Sequence, residues 1–266
     1  MRAVNGKKAI LFVSFGVASA SARHASLDAC AEAIRHAFPD YLVCQAYTSQ
    51  FMRKRLRAEG VLVPSVEEAL EDLRQRGVER VVLQPSHLTP GEEYTQKVWL
   101  PASACQPLFA ELRIGSPLFA EEKRDEELLR IILQSLDCRG TEQVVLLGHG
   151  SPHQHNPIYE RLQRMADDRN IPVHIGVLEP SDWPGFREVL NRLQQRGAES
   201  VLLAPLLLAG GVHVYRDMAG NEPASWKSRL LAAGFSVRTD LHALGERAAI
   251  REQFVRSIRA LLASDK

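Results

Sequence analysis

The chain has 266 residues, 45% of them apolar and 24% charged, with 33 Lys and Arg against 32 Asp and Glu. That length is generous for one ordinary domain and comfortable for two similar halves. The near-balanced charge argues against a nucleic-acid binder, whose basic face would tilt it. No run approaches the roughly 20 apolar residues of a membrane span. The N-terminal apolar stretch, Ala9 to Val13, is too short for the core of a signal peptide. The expectation is a cytoplasmic protein with no membrane and no nucleic-acid partner. Cys30, Cys44, Cys105 and Cys138 form no C-x-x-C pair and no zinc-site spacing, so they read as small apolar residues.

Taken in chain order, apolar runs of strand length alternate with amphipathic runs of helix length. Residues 8–14 read as a strand and 21–37 as a helix. Then come a strand at 41–47, a helix at 66–76, a strand at 80–86, a helix from about Glu92, a short strand at 111–117 and a helix at 121–136. The rhythm restarts: strand 142–148, helix 157–168, strand 172–178, helix 183–196, strand 200–208, helix 223–233, strand 235–240 and helix 247–263. Continuously apolar strands, each followed by a helix, indicate parallel sheets covered on both faces.

The two halves also match residue for residue. At an offset of 120, Leu73 meets Leu193, Gly77 meets Gly197, Val81 meets Val201, Leu83 meets Leu203, Pro85 meets Pro205 and Gly91 meets Gly211. The reading is an internal duplication: an α/β protein of two similar lobes, 1–120 and 121–266, each a mainly parallel sheet flanked by helices, with a cleft between the lobes.

At the same offset Glu93 falls opposite His213, each just beyond a strand's carboxyl end. Ligands of open α/β sheets bind outside those ends, so the expectation sets Glu93 and His213 facing one cleft. His149, between Gly148 and Gly150, and Glu179 occupy two further strand ends in the second half. Adjacent strands lie about 5 Å apart, so His149, Glu179 and His213 are expected to converge. Two imidazoles and a carboxylate suit cobalt, iron, nickel or zinc. His87 ends the strand before Glu93 and is a candidate for lining the cleft. His153 and His155 read as surface loop residues. No G-x-G-x-x-G, no P-loop and no G-x-S-x-G is present, which argues against a nucleotide and against serine hydrolysis.

The ordered segments "KKAILFVSFGVAS", "AYTSQFMRKRLR", "QPSHLTPGEEY", "VVLLGHGSPH", "IGVLEPS", "LAPLLLAGGVHVYRDMAG" and "SWKSRL" resemble the class II tetrapyrrole chelatases. Within these they are similar to the anaerobic sirohydrochlorin cobaltochelatases of the CbiK family. The resemblance covers nearly the whole chain and implies a lyase that inserts Co²⁺, as substrate metal, into sirohydrochlorin on the route to cobalamin. Fe²⁺, Ni²⁺ and Zn²⁺ stay open as metals. It implies metal ligation by His149, Glu179 and His213, and catalysis by His149, His213 and Glu93. His213 is the preferred proton acceptor, because imidazole as a side-chain type can take a proton or bind metal near neutral pH. Ser14, the amides near Gly16, Ser86 and His87 are expected to hold the macrocycle's carboxylates, and Phe15, Leu88 and Val212 to press on the ring. Two alternatives remain, a sirohaem-type ferrochelatase and a non-enzymatic carrier of metal or tetrapyrrole, and a homo-oligomer is left open.

Overall fold

The structure, a computed structural model, describes residues 7–151 and 156–264. His153 and His155 therefore lie outside the described residues. The chain separates into two compact units, Met1–Ala120 with Ala248–Lys266, and Glu121–Arg247. The expected lobe 121–266 needs correcting at its end. The final helix, Ala248–Ala263, belongs with the first unit, where it packs on the helix Ala29–Ala37 and on the third strand.

The first unit holds β1 (Lys7–Ser14), β2 (Leu42–Tyr47), β3 (Val78–Pro85) and β4 (Glu111–Ile114), all parallel, in the order β2-β1-β3-β4. β1 is central, and Ala9 to Val13 are completely buried. That explains its unbroken apolar run, since both faces are covered. On one face Val66–Gln75 and Leu100–Cys105 bury Val66, Leu70, Leu73 and Ala102 against Leu11, Val13 and Leu83. On the other, Phe254 of the final helix meets Phe12 edge-on, ring centroids 5.3 Å apart, and Arg113 donates to the Leu261 carbonyl. Each fully buried Leu or Phe contributes about 1.5–3 kcal/mol. A capping box starts the Val66–Gln75 helix: the Glu68 amide donates to Ser65 Oγ at 3.2 Å and the Ser65 amide to Glu68 Oε2 at 2.7 Å.

The second unit holds β5 (Gln143–Gly148), β6 (Val173–Val177), β7 (Ser200–Pro205) and β8 (Ser236–Thr239), parallel, in the order β6-β5-β7-β8. The order is that of the first unit, as duplication requires. A second correspondence was not visible in the residue matches. A π-type helical segment follows the third strand in both units, at Thr95–Trp99 and at His213–Met218. The core gathers Val145, Leu147, Val201 and Leu203 from the sheet, Val189 and Leu193 from the helix Phe186–Gln195, and Val214, Met218, Trp226 and Leu230. β7 is shorter than the apolar run. Pro205 has no N–H for the ladder, Leu206 makes a last bond to the Leu147 carbonyl at 2.8 Å, and the chain then leaves the sheet.

One helix, Gln50–Ala58, escaped sequence reading. Only its Leu56 is buried, so no apolar stripe marks it; its signal is Ser49, whose Oγ accepts from the Met52 amide at 3.3 Å. No described helix is long and apolar enough to cross a membrane. Cys30 is buried, and burial pushes its thiol up to about 12, against the weaker pull of Arg251, which fits a packing role.

Candidate metal centre

In the second unit β5 is hydrogen-bonded on one side to β6 and on the other to β7. Its carboxyl end therefore lies between the two other strand ends that carry candidate residues. His149 follows β5 directly. Gly148 lets the chain leave the strand over the Tyr159 ring: a Cβ at Gly148 would lie 2.2 Å from Tyr159 Cε1. Gly150 adopts φ +79°, and a Cβ there would meet Glu179 Cβ at 2.9 Å. Both facts explain G-H-G physically, because only glycine permits the left-handed turn and the close approach. Asp182 holds the far side of the loop. Its Oδ2 accepts from the Ser151 amide at 2.8 Å, and its Oδ1 from the amides of Trp183 at 2.8 Å and Asn156 at 3.3 Å.

His213 opens the π-type segment after β7, in a wide turn that sets Asp217 against it. His213 Nδ1 lies 2.7 Å from Asp217 Oδ2, and Arg216 Nε donates to Asp217 Oδ1 at 2.7 Å. Burial raises the Asp217 carboxyl's pKa, but the hydrogen bonds from Arg216 and His213 outweigh it and hold the group below its ordinary range. Asp217 is thus an anion that accepts a hydrogen bond from His213 Nδ1–H. His149 Nδ1 lies 3.1 Å from the Gly150 carbonyl oxygen, which can only accept, so it too carries its proton on Nδ1. Each ring then presents a bare Nε2.

Those two Nε2 atoms face each other at 3.2 Å, with ring centroids 4.5 Å apart and planes at 84°. Two lone pairs at that distance repel unless something positive lies between them. A proton can do so, and so can a divalent cation. With metal–nitrogen bonds of about 2.1 Å, a 3.2 Å nitrogen separation subtends about 100° at the metal, near the tetrahedral or cis-octahedral value. Fixing each tautomer through Nδ1 is how metal-binding histidines are usually held.

Glu179 stands where β6 predicts it. Its amide donates to the His149 carbonyl at 2.9 Å, which ties the two loops together. Its carboxylate is turned aside, however: Oε1 accepts from Ser181 Oγ at 2.9 Å. Among the described residues no three His, Cys, Asp or Glu side chains converge on a point that could hold a metal. The structure thus assembles the imidazole pair and leaves Glu179 beside it.

The first-unit candidates divide. Ser14 and Ser86 are buried and bonded to each other, Oγ to Oγ at 2.9 Å, which is a packing role and not the accessible position expected of carboxylate contacts. Phe15 is half exposed, and Gly16 takes φ +102° because any Cβ would strike the Tyr47 ring. Leu88 is half-buried, and its carbonyl accepts from Phe119 at 2.7 Å. Both ring nitrogens of His87 lack partners, and burial lowers its pKa to about 4, so the ring stays neutral. Glu93 is half-buried in the short helix Glu92–Tyr94 after β3. Val212, next to His213, is well exposed. Asp217, Asp182 and Tyr159 are the supporting residues that sequence reading missed. The spacing of His213 and Asp217, four apart, was the available signal for the first.

Two parallel α/β units of one strand order, the second with a facing imidazole pair at its strand ends, set out a chelatase-like fold. Comparisons with known proteins narrow it. The sequence profile of the family described as Cobalt chelatase (CbiK) matches residues 8–263. The sirohydrochlorin cobaltochelatase of Salmonella typhimurium is 32% identical over 258 residues, spanning 96% of this chain and 97% of that protein. The sirohydrochlorin cobaltochelatase CbiKC of Nitratidesulfovibrio vulgaris is 35% identical over 231 residues, 86% of this chain and 81% of its own. This chain belongs to the cobalt chelatase (CbiK) family. Among solved structures, SirB from Bacillus subtilis with Fe³⁺ superposes with a TM-score of 0.63 at 17% identity, covering 97% of this chain and 96% of that one, a likeness of fold.

Proposed function

We propose that the protein is a sirohydrochlorin cobaltochelatase, inserting Co²⁺ into sirohydrochlorin with release of both pyrrole protons. The observation that carries this reading is the facing pair of Nε2 atoms, 3.2 Å apart, each with its Nδ1 already engaged. Family membership supplies the substrate class.

The chemistry follows from those atoms. Co²⁺ as substrate docks between His149 and His213. Glu179 turns its carboxylate from Ser181 to the ion as a third ligand, offsetting charge while the ion sheds water. The ion passes to the ring nitrogens as they deprotonate. As the ion moves across, both imidazoles are vacated: His213 Nε2 accepts one pyrrole proton and His149 Nε2 the other, and each passes it on to water. The Asp217 carboxylate at Nδ1 stabilises the imidazolium that results, the pattern of a base oriented by a buried or half-buried acid. Val212, beside His213, offers exposed apolar surface to the macrocycle.

The test is a turnover assay. Purified protein is mixed with sirohydrochlorin and Co²⁺, and the absorption change is followed against a control without protein. The expected result is acceleration with many product molecules per protein. A single stoichiometric change with no turnover would mark a carrier and overturn the proposal.

A further inference from the structure

The two imidazoles are not held alike. His213 Nδ1 meets the Asp217 carboxylate at 2.7 Å, whereas His149 Nδ1 meets a backbone oxygen, that of Gly150, at 3.1 Å. That oxygen belongs to the Gly150–Ser151 peptide, and a carboxylate engages the other end of the same peptide: the Ser151 amide donates to Asp182 Oδ2 at 2.8 Å. The peptide is trans, so its C=O and N–H point opposite ways in one rigid plane. Fixing the N–H therefore fixes the direction of the C=O.

Asp182 is built as the fixed end. It is 6% exposed, and its Oδ1 takes the amides of Trp183 at 2.8 Å and of Asn156, the N-cap of the helix Pro157–Asp168, at 3.3 Å. A buried carboxylate is unfavourable unless hydrogen-bonded. Three amide donors meet that demand and leave the side chain little freedom to turn. Its Cβ lies against Gly150, since a Cβ built on that glycine would come within 3.2 Å of it. Its own amide donates to the Glu179 carbonyl at 3.2 Å. Hydrogen bonds in a chain polarise one another, so the bond at the Ser151 N–H makes the Gly150 oxygen a better acceptor. The charge of Asp182 is thereby felt at His149 Nδ1 through one peptide group.

We propose that Asp182 is a positioning residue for His149, acting through the Gly150–Ser151 peptide as Asp217 acts directly on His213. Its work is to keep the proton on His149 Nδ1 and so leave Nε2 bare. It takes no part in metal ligation or proton transfer. The functional consequence rests on the chelatase reading, in which His149 Nε2 is a ligand; the tautomer rests on the geometry alone.

Asp182→Asn is the isosteric test. An asparagine whose oxygen keeps the Trp183 and Asn156 amides turns its NH₂ on the Ser151 amide, donor against donor, and releases the peptide. His149 then gains by moving its proton to Nε2, because the bare Nε2 of His213 lies 3.2 Å away. Ring-nitrogen NMR of metal-free, full-length protein labelled with ¹⁵N-histidine reads the tautomer directly. It is recorded at about pH 8, above the ordinary imidazole pKa of about 6.5, with His149→Ala assigning the signal. The expected result is a single Nδ1–H form in wild type and a mixture of Nδ1–H and Nε2–H forms in Asp182→Asn, with His213 keeping its proton on Nδ1. Co²⁺ affinity should fall about tenfold, the lower end of the loss for groups that orient metal-binding histidines. KM for Co²⁺ should rise and KM for sirohydrochlorin hold. A merely structural aspartate would lower the melting transition and move none of these. His149 held wholly as Nδ1–H in Asp182→Asn, with wild-type Co²⁺ affinity, would overturn the proposal. So would wild-type protein carrying the His149 proton on Nε2, a result that needs no variant to fold. A tautomer shift in Asp182→Asn beside wild-type protein that never metallates sirohydrochlorin would uphold the role of Asp182 and sink the chelatase reading.

Discussion

Replacing His213 with alanine is expected to lower cobalt insertion by about 10²–10⁴-fold, the range lost when a positioned acid–base group is removed. The variant should also bind Co²⁺ more weakly, because the same Nε2 faces His149 at 3.2 Å. Both effects come from one atom acting at different times, first as ligand and then, once the ion has left, as proton acceptor. Stability should scarcely change: the His213 side chain is 44% exposed, and substitutions at such positions usually stay within about 0.5 kcal/mol. The measurements are turnover and Co²⁺ titration on protein whose melting transition matches wild type. An unchanged insertion rate would remove His213 from the chemistry.

Asp217→Asn should have the next largest effect, a loss of about 10–100-fold in Co²⁺ affinity, the range for partners that orient metal-binding histidines. Asparagine fills the same space but can offer either an amide hydrogen or an oxygen to His213 Nδ1. The bare Nε2 is then no longer enforced, and the negative charge opposite an imidazolium is gone. Asp217 is a positioning residue, so the decisive readout is metal affinity and KM for Co²⁺ rather than the melting temperature. A merely structural Asp217, bonded to Arg216 and His213, would shift melting and leave metal affinity alone.

How far the sequence revealed all this depends on what kind of force placed each residue. The alternating apolar runs registered β1 to β8 within a few residues, most clearly at β1, β5, β6 and β7, where burial on both sheet faces leaves few polar positions. The pairing of His149 with His213 followed from strand order, since both loops leave neighbouring strands. The direction of the Glu179 carboxylate did not follow, because a hydrogen bond to Ser181, two residues along, decides it. Ser14 and Ser86 are expected from sequence to meet carboxylates, but parallel pairing of β1 with β3 brings their hydroxyls together inside the sheet end. The final helix was assigned to the second half because it follows that half in sequence. Phe254 and its neighbours instead fill the face of the first sheet beside Phe12. The helix Gln50–Ala58, with its basic side chains, was invisible to a search for apolar periodicity.

X-ray absorption of the protein loaded with one equivalent of Co²⁺ tests the central claim most directly. Two imidazole nitrogens at about 2.1 Å are predicted in the first coordination shell, reduced by one in His149→Ala and again in the double variant with His213→Ala. A shell of oxygen ligands alone, or a spectrum indifferent to both substitutions, would contradict the account.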